Sequence, residues 1–314
     1  MSGITNLTYL SDRTNIECVC GHVIGFTVRR RDRYGIKFTF KLCLKCGHVW
    51  TSNPLSPAAA RRFYQSSDYR SLYFPGESPE QVLLRKTPAP STVSQLLRFV
   101  EGLRVPRGRL MEWGCGGGWN LVPFRDAGWV VQGFDYDRPY LELGRSLLGL
   151  DLHEIPPDGT SLETQSLDVV LLNHVLEHSV DPVSLLIRLR EHCSHETSLI
   201  VGVPLLETIP IWHWRDFFHV AHIHYFSAES LTRVAAKSGF RITHRDVSTG
   251  LFVMKKSESI DQRPSQARFV LWSGLLLVRG FIEPMYRARQ FVRFTLSSLR
   301  LINLARRVKK RIAR

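Results

Sequence analysis

The chain has 314 residues and a formal charge of +14, with 42 Lys and Arg against 28 Asp and Glu. That length accommodates a full α/β core with appendages. The charge excess is local: residues 263–314 hold 13 of the basic residues and one acid, Glu283, leaving 29 basic against 27 acidic residues in the body, a balance that argues against a broadly basic nucleic-acid-binding surface.

The first residues, Met1 to Asn6, carry no basic region followed by an apolar core, and no stretch offers about eighteen uninterrupted apolar residues. The expectation is a cytoplasmic protein without a transmembrane span. Four of the six cysteines fall in two pairs inside residues 1–55, which reads as metal ligation in a reducing compartment. Residues 56–105, rich in Arg, Tyr, Ser and Pro over their first part, read as a helical linker.

From residue 106 to about 258 apolar strands alternate with helical stretches, the pattern of a mostly parallel sheet covered on both faces, an α/β fold. Strands are expected at Leu110 to Trp113, Trp129 to Phe134, Leu167 to Leu172 and Leu199 to Val203. Helices fit near Asn120 to Ala127, Arg138 to Leu148, Pro182 to His192 and Ala228 to Ser238. Two β-rich runs, Arg241 to Val247 and Leu251 to Lys255, are joined by Ser248-Thr249-Gly250 and read as a hairpin at the sheet edge. Residues 259–314 form a basic tail behind a polar hinge containing Pro264.

Glu112-Trp113-Gly114-Cys115-Gly116-Gly117-Gly118 follows the first strand of this core and opens into a helix. Glycines there let the backbone approach a ligand that any Cβ would push away. A dinucleotide fingerprint needs glycine where Trp119 stands. The second strand ends in Asp135, twenty-one residues beyond Gly114, where a carboxylate can accept both hydroxyls of a ribose. Together with Asp168-Val169-Val170 and His174-Val175-Leu176-Glu177-His178, and with His222-Ile223-His224-Tyr225-Phe226-Ser227 further on, this run resembles the class I S-adenosylmethionine-dependent methyltransferases over residues 108–256. The resemblance implies a Rossmann-like seven-stranded sheet and S-adenosylmethionine as cofactor. It implies that Glu112, Gly114, Cys115, Gly116 and Gly118 line the amino-acid end of the cofactor, with Asn173 beside them. It gives the ribose to Asp135 and the adenine flank to Tyr136. Cys115 itself reads as a small packing residue without a catalytic role.

A sulfonium already makes its methyl group electrophilic, so alignment of the nucleophile supplies most of the rate. A hydroxyl acceptor must also lose a proton, for which histidine is suited. His174 and His178 follow the fourth strand, and His213, His219, His222 and His224 follow the fifth, both at strand ends where ligands bind in open α/β sheets. His174 is the first candidate base and His224 the second. Glu177 and His178 read as holding the loop. The aromatic run from Ile209 to Phe218 is either a lid over the acceptor or a loop packed on itself.

Cys43-Leu44-Lys45-Cys46-Gly47 is a zinc-knuckle pattern, and Cys18-Val19-Cys20-Gly21 is its candidate partner, with Glu17 where the usual spacing puts cysteine. With His48, Trp50, Asn53-Pro54, Phe63-Tyr64 and Tyr69, the region resembles the zinc-ribbon start of many bacterial methyltransferases. It implies a structural Zn(2+) on Cys18, Cys20, Cys43 and Cys46, with His22 or His48 as a possible substitute ligand. In the tail, Phe291, Phe294, Leu301, Ala305, Val308 and Ile312 recur at helical steps between basic residues. That amphipathic helix suits an anionic inner-membrane surface, with packing on the protein and nucleic acid as the competing readings. The expected activity is O-methylation of a sugar, glycan precursor or lipid-linked small molecule. RNA methylation and a non-catalytic cofactor-binding scaffold are the alternatives.

Overall fold

The computed structural model describes residues 8–66, 69, 72–87, 91–156, 166–210 and 213–258. The N-terminal part opens with three antiparallel strands, β1 (Gly25–Arg31), β2 (Lys37–Cys43) and β3 (Val49–Thr51). Helices α1 (Pro57–Gln65), α2 (Pro79–Lys86) and α3 (Ser91–Gly102) follow. Ser56 caps α1 and Ser78 closes a capping box on α2, each with proline in the first turn where its missing N–H costs nothing.

The second sheet has order β10-β11-β8-β7-β4-β5-β6, built from β4 (Arg109–Trp113), β5 (Val130–Asp135), β6 (Asp151–Glu154), β7 (Val169–Asn173), β8 (Ser198–Gly202), β10 (Phe240–Asp246) and β11 (Leu251–Lys256). Strands β4 to β8 are parallel, whereas β11 runs antiparallel to β8 and to β10. This is the seven-stranded, mostly parallel Rossmann-like sheet expected from the sequence. The hairpin sits at one edge with β10 outermost and β11 inside it, against β8.

Central strands β7 and β8 are apolar on both faces because both faces are covered. Met111, Val170, Leu172, Leu199 and Val201 pack on one side with Leu186 and Phe252, while Leu110, Val169, Leu171 and Ile200 pack on the other with Leu141. Helices α4 (Val122–Asp126), α5 (Arg138–Leu148), α6 (Pro182–Glu191) and α7 (Ala228–Lys237) supply the cover. Their starts are marked in the chain: Asp181 Oδ1 accepts from the Ser184 N–H at 3.0 Å, and Ser227 closes a capping box with Ser230.

The two sheets are joined by β9 (His224–Tyr225), a two-residue strand from the C-terminal half that pairs with β3 and completes the order β1-β2-β3-β9. Around it Phe40, Phe63, Phe218 and Tyr225 form an aromatic core with no exposed surface. Asp32, in the β1–β2 turn, reaches across the same seam, its carboxylate accepting from the Tyr34, Ile36 and Val220 N–H groups at 2.9, 2.8 and 3.1 Å. Strands β1–β3, β6 and β9 were not marked in the sequence pattern. The basic tail lies outside the described residues, and among the described residues no helix is long and apolar enough to cross a membrane.

Candidate active site

Beyond β4 the chain turns sharply, and the Gly114 and Cys115 N–H groups both donate to Phe134 O of β5, at 2.7 and 3.1 Å. Gly114, Gly116 and Gly118 have φ of +77°, +56° and +78°, conformations that side chains rarely adopt. A Cβ at Gly114 would meet Val175, and one at Gly118 would lie 2.6 Å from Leu150. Gly116 N–H donates to Asp135 Oδ2 at 2.7 Å, so the turn and the end of β5 are one hydrogen-bonded unit. Asp135 Oδ1 accepts from the Asp137 N–H at 2.9 Å.

Beneath the turn, Glu112 is fully buried. Its Oε1 accepts from Asn120 Nδ2 at 2.7 Å, while Oε2 has no partner. Burial pushes this carboxyl up to about 8, against the pull of Asn120. Asn120 was not among the expected site residues, since a lone polar residue starting a helix gives no spacing signal. Asn173 ends β7 beside Gly202, and Tyr136 is half-exposed just past β5. The Cys115 side chain points into the core, where a Cβ on Gly133 would lie 2.7 Å from its Sγ, so this residue offers a ligand only backbone.

On the other side of the turn, His174 takes φ of +57° although it is not glycine. Its N–H donates to Gly202 O at 2.8 Å. The ring is more than half exposed, and Nδ1–H donates to Glu177 Oε1 at 3.3 Å. That carboxylate raises the His174 pKa above its ordinary value. Glu177 is buried, with His178 Nε2 at 3.9 Å and His222 Nε2 at 3.8 Å from the same Oε1. Tyr73 OH bonds His219 Nδ1 at 2.9 Å, and the His219 and His222 rings lie 3.7 Å apart. Burial lowers the pKa of His178, His219 and His222 and keeps these rings neutral.

His224 stands apart from this group. Its Nε2–H donates to the Val180 carbonyl at 3.4 Å, which leaves Nδ1 to accept from His48 Nε2–H at 2.9 Å. Burial pushes it down to about 4, and with its lone pair taken it is a buried link between β3 and β9 instead of a base. In the aromatic run, Phe218 is fully buried and Phe217 lies 5.2 Å from the Tyr225 ring, so these two belong to the loop core; Trp212 lies outside the described residues. His213 is exposed, 3.9 Å from Asp216.

The cysteine pairs converge. Cys18 and Cys46 Sγ are 3.4 Å apart, Cys20 and Cys43 Sγ 3.6 Å, and all four sulfurs lie within 4.8 Å of one another. Each pair is followed by a glycine of positive φ, Gly21 at +78° and Gly47 at +75°, whose N–H turns back to the carbonyl of Cys18 or Cys43. The C-x-C pair therefore makes the same kind of knuckle as C-x-x-C.

A family model described as a methyltransferase domain matches residues 85–245, from the end of α2 to the last residues of β10 and about half of the chain. The chain belongs to this family. It is a class I, S-adenosylmethionine-dependent methyltransferase. Similar solved structures include the magnesium protoporphyrin IX methyltransferase of Synechocystis PCC 6803 with bound SAH, at 16% identity over 65% of this chain and 100% of that chain, with a TM-score of 0.45. An amino pentose methyltransferase of Micromonospora echinaspora with bound SAM is 16% identical over 60% of this chain and 96% of that chain, with a TM-score of 0.45. No curated protein sequence matches the chain at a significant level.

Glu112 gives the methyltransferase a measurable pH signature. The folded pKa of about 8 lies above the ordinary carboxyl value, so Glu112 contributes stability below that ordinary value and loses it as pH rises toward 8. In ligand-free protein, thermal melts of wild type and Glu112→Gln are expected to diverge over this interval, with wild type falling behind by on the order of 3 kcal/mol above pH 8. Parallel curves across the interval contradict the assignment.

Proposed function

We propose that the enzyme methylates a hydroxyl group of a sugar, glycan precursor or lipid-linked small molecule, with His174 as the general base. S-adenosylmethionine supplies the methyl group on a sulfonium centre. The glycine turn admits the cofactor's amino-acid end against bare backbone, and the unpartnered Oε2 of Glu112 offers an acceptor for its ammonium group. Asp135, fastened to the turn through Gly116 N–H, takes the ribose hydroxyls, and half-exposed Tyr136 flanks the adenine. The observation that carries the acceptor side is the His174–Glu177 pair. An exposed imidazole held by a buried carboxylate, at the end of the strand next to the glycine turn, is equipped to take a proton from a hydroxyl. An acceptor that arrives without a proton to lose needs no such pair.

We also propose one structural Zn(2+) on Cys18, Cys20, Cys43 and Cys46. Tetrahedral thiolates about 2.3 Å from zinc stand about 3.8 Å apart, close to the 3.4 and 3.6 Å found here. Four protein ligands leave no position for substrate, so the ion's part is to hold the N-terminal sheet. The basic stretch 263–314, which lies outside the described residues, is the part proposed to meet an anionic membrane surface.

Calorimetry tests the cofactor assignment. Wild type is expected to bind S-adenosylmethionine in the micromolar range and to ignore nicotinamide dinucleotides, with Asp135→Ala losing about 1.5–3 kcal/mol, roughly 10- to 150-fold in affinity. Preference for a dinucleotide contradicts it. Elemental analysis tests the metal: one zinc is expected on the cysteines, and Cys43→Ser should lose it and destabilise the fold by roughly 3 kcal/mol or more. Unchanged zinc content in that variant rules out the cysteine site.

A further inference from the structure

Glu177, His178 and His222 present a second donor set that neither methyl transfer nor the cysteine site uses. Their ligand atoms lie within 4.8 Å of one another, and Glu177 Oε1 is 3.9 Å from His178 Nε2 and 3.8 Å from His222 Nε2. These separations are too long for hydrogen bonds.

The Ala221 carbonyl sets the proton position on His178. His178 Nδ1 lies 2.9 Å from the Ala221 carbonyl, which can only accept, so Nδ1 carries the proton and Nε2 a lone pair. Tyr64 OH lies 3.1 Å from Nδ1 and 3.3 Å from the same carbonyl, and with the Nδ1 proton committed to that carbonyl at the shorter 2.9 Å the hydroxyl donates to the carbonyl as well. A lone pair on His178 Nε2 therefore faces a carboxylate oxygen inside the protein, an arrangement that is repulsive unless a cation stands between them. A backbone carbonyl behind the far ring nitrogen is also the usual support of a metal-ligating histidine. The far atoms of the other two side chains, Glu177 Oε2 and His222 Nδ1, are buried without a hydrogen-bond partner, so no hydrogen bond from the protein fixes the His222 ring through Nδ1.

We propose that Glu177, His178 and His222 bind a divalent first-row transition-metal ion. Two imidazoles and one carboxylate suit an ion such as Zn(2+), Co(2+) or Fe(2+). Donors about 2.1 Å from a tetrahedral ion stand about 3.4 Å apart, so each histidine closes on the Glu177 oxygen by about half an ångström on loading. Three protein ligands leave at least one position open, and the 16% and 11% exposure of the His178 and His222 side chains gives access from outside. Because His174 touches the same carboxylate at 3.3 Å, an acceptor oxygen on the open position would lie on the side of the expected base. The cation thus gives the acceptor a second point of attachment.

Equilibrium dialysis of the full chain against Zn(2+) tests this, with the variants His222→Gln and Cys43→Ser. Wild type is expected to hold two zinc per chain. His222→Gln should lose one and keep S-adenosylmethionine binding, while Cys43→Ser should lose the other. A wild-type content that His222→Gln leaves unchanged overturns the proposal; so does a single zinc that only Cys43→Ser removes. Co(2+) in place of Zn(2+) on the unaltered chain gives a reading that needs no variant. The expected spectrum combines thiolate charge-transfer bands with separate d–d bands of a nitrogen and oxygen site, and a thiolate spectrum alone overturns the proposal.

Discussion

One left-handed residue organises both halves of the site. His174 leaves β7 with φ of +57°, held by its N–H on Gly202 O of the neighbouring strand, a conformation costing about 1–3 kcal/mol that the surrounding sheet must impose. The reversal sends Val175 over Gly114 on the cofactor side and Glu177 into the histidine cluster on the other. Glu177 O then accepts from the Ile223 N–H at 2.8 Å, so the segment 174–178 also fastens the loop that carries His219, His222 and β9. Cofactor turn and acceptor cluster are thus set by the same few peptide units.

The N-terminal sheet belongs to this arrangement as its outer wall. Thr51 donates from N–H to Ile223 O at 2.8 Å and from Oγ1 to His222 O at 3.0 Å. Asp32 fixes Val220, and His48, two residues past Cys46, bonds His224 at 2.9 Å. Holding the cysteines together therefore holds β3, and β3 holds the strand that carries the acceptor-side loop. This gives a distant cluster of thiols a physical bearing on the side of the protein where the acceptor is proposed to bind.

Much of this was legible in the chain because the signals are local. A glycine run between an apolar strand and a helix, with Asp135 one strand later, marks the cofactor side through backbone conformation and ladder ends, and both are read from spacing. The alternation that marks β4, β5, β7 and β8 comes from strands covered on both faces. Edge strand β6 and the short β3 and β9 escaped because two to four residues, partly exposed in β6, carry no periodic pattern. His224 lies deeper than its spacing implies, for a related reason. Spacing placed it near the strand ends, but its environment depends on pairing with Trp50, 174 residues away in the chain. The meeting of Glu177 with His222 is likewise long-range, and only the fold brings them together.

The measurement that bears most directly on the account is turnover of His174→Ala on a hydroxylated acceptor, read alongside its cofactor affinity. The structure predicts unchanged S-adenosylmethionine binding with kcat reduced about 10²–10⁴-fold, the range for loss of a general base. Because His174 lies on the acceptor side, KM for S-adenosylmethionine should stay close to wild type. Full turnover by His174→Ala would contradict the account, and the base would then have to be sought outside the His174–Glu177 pair.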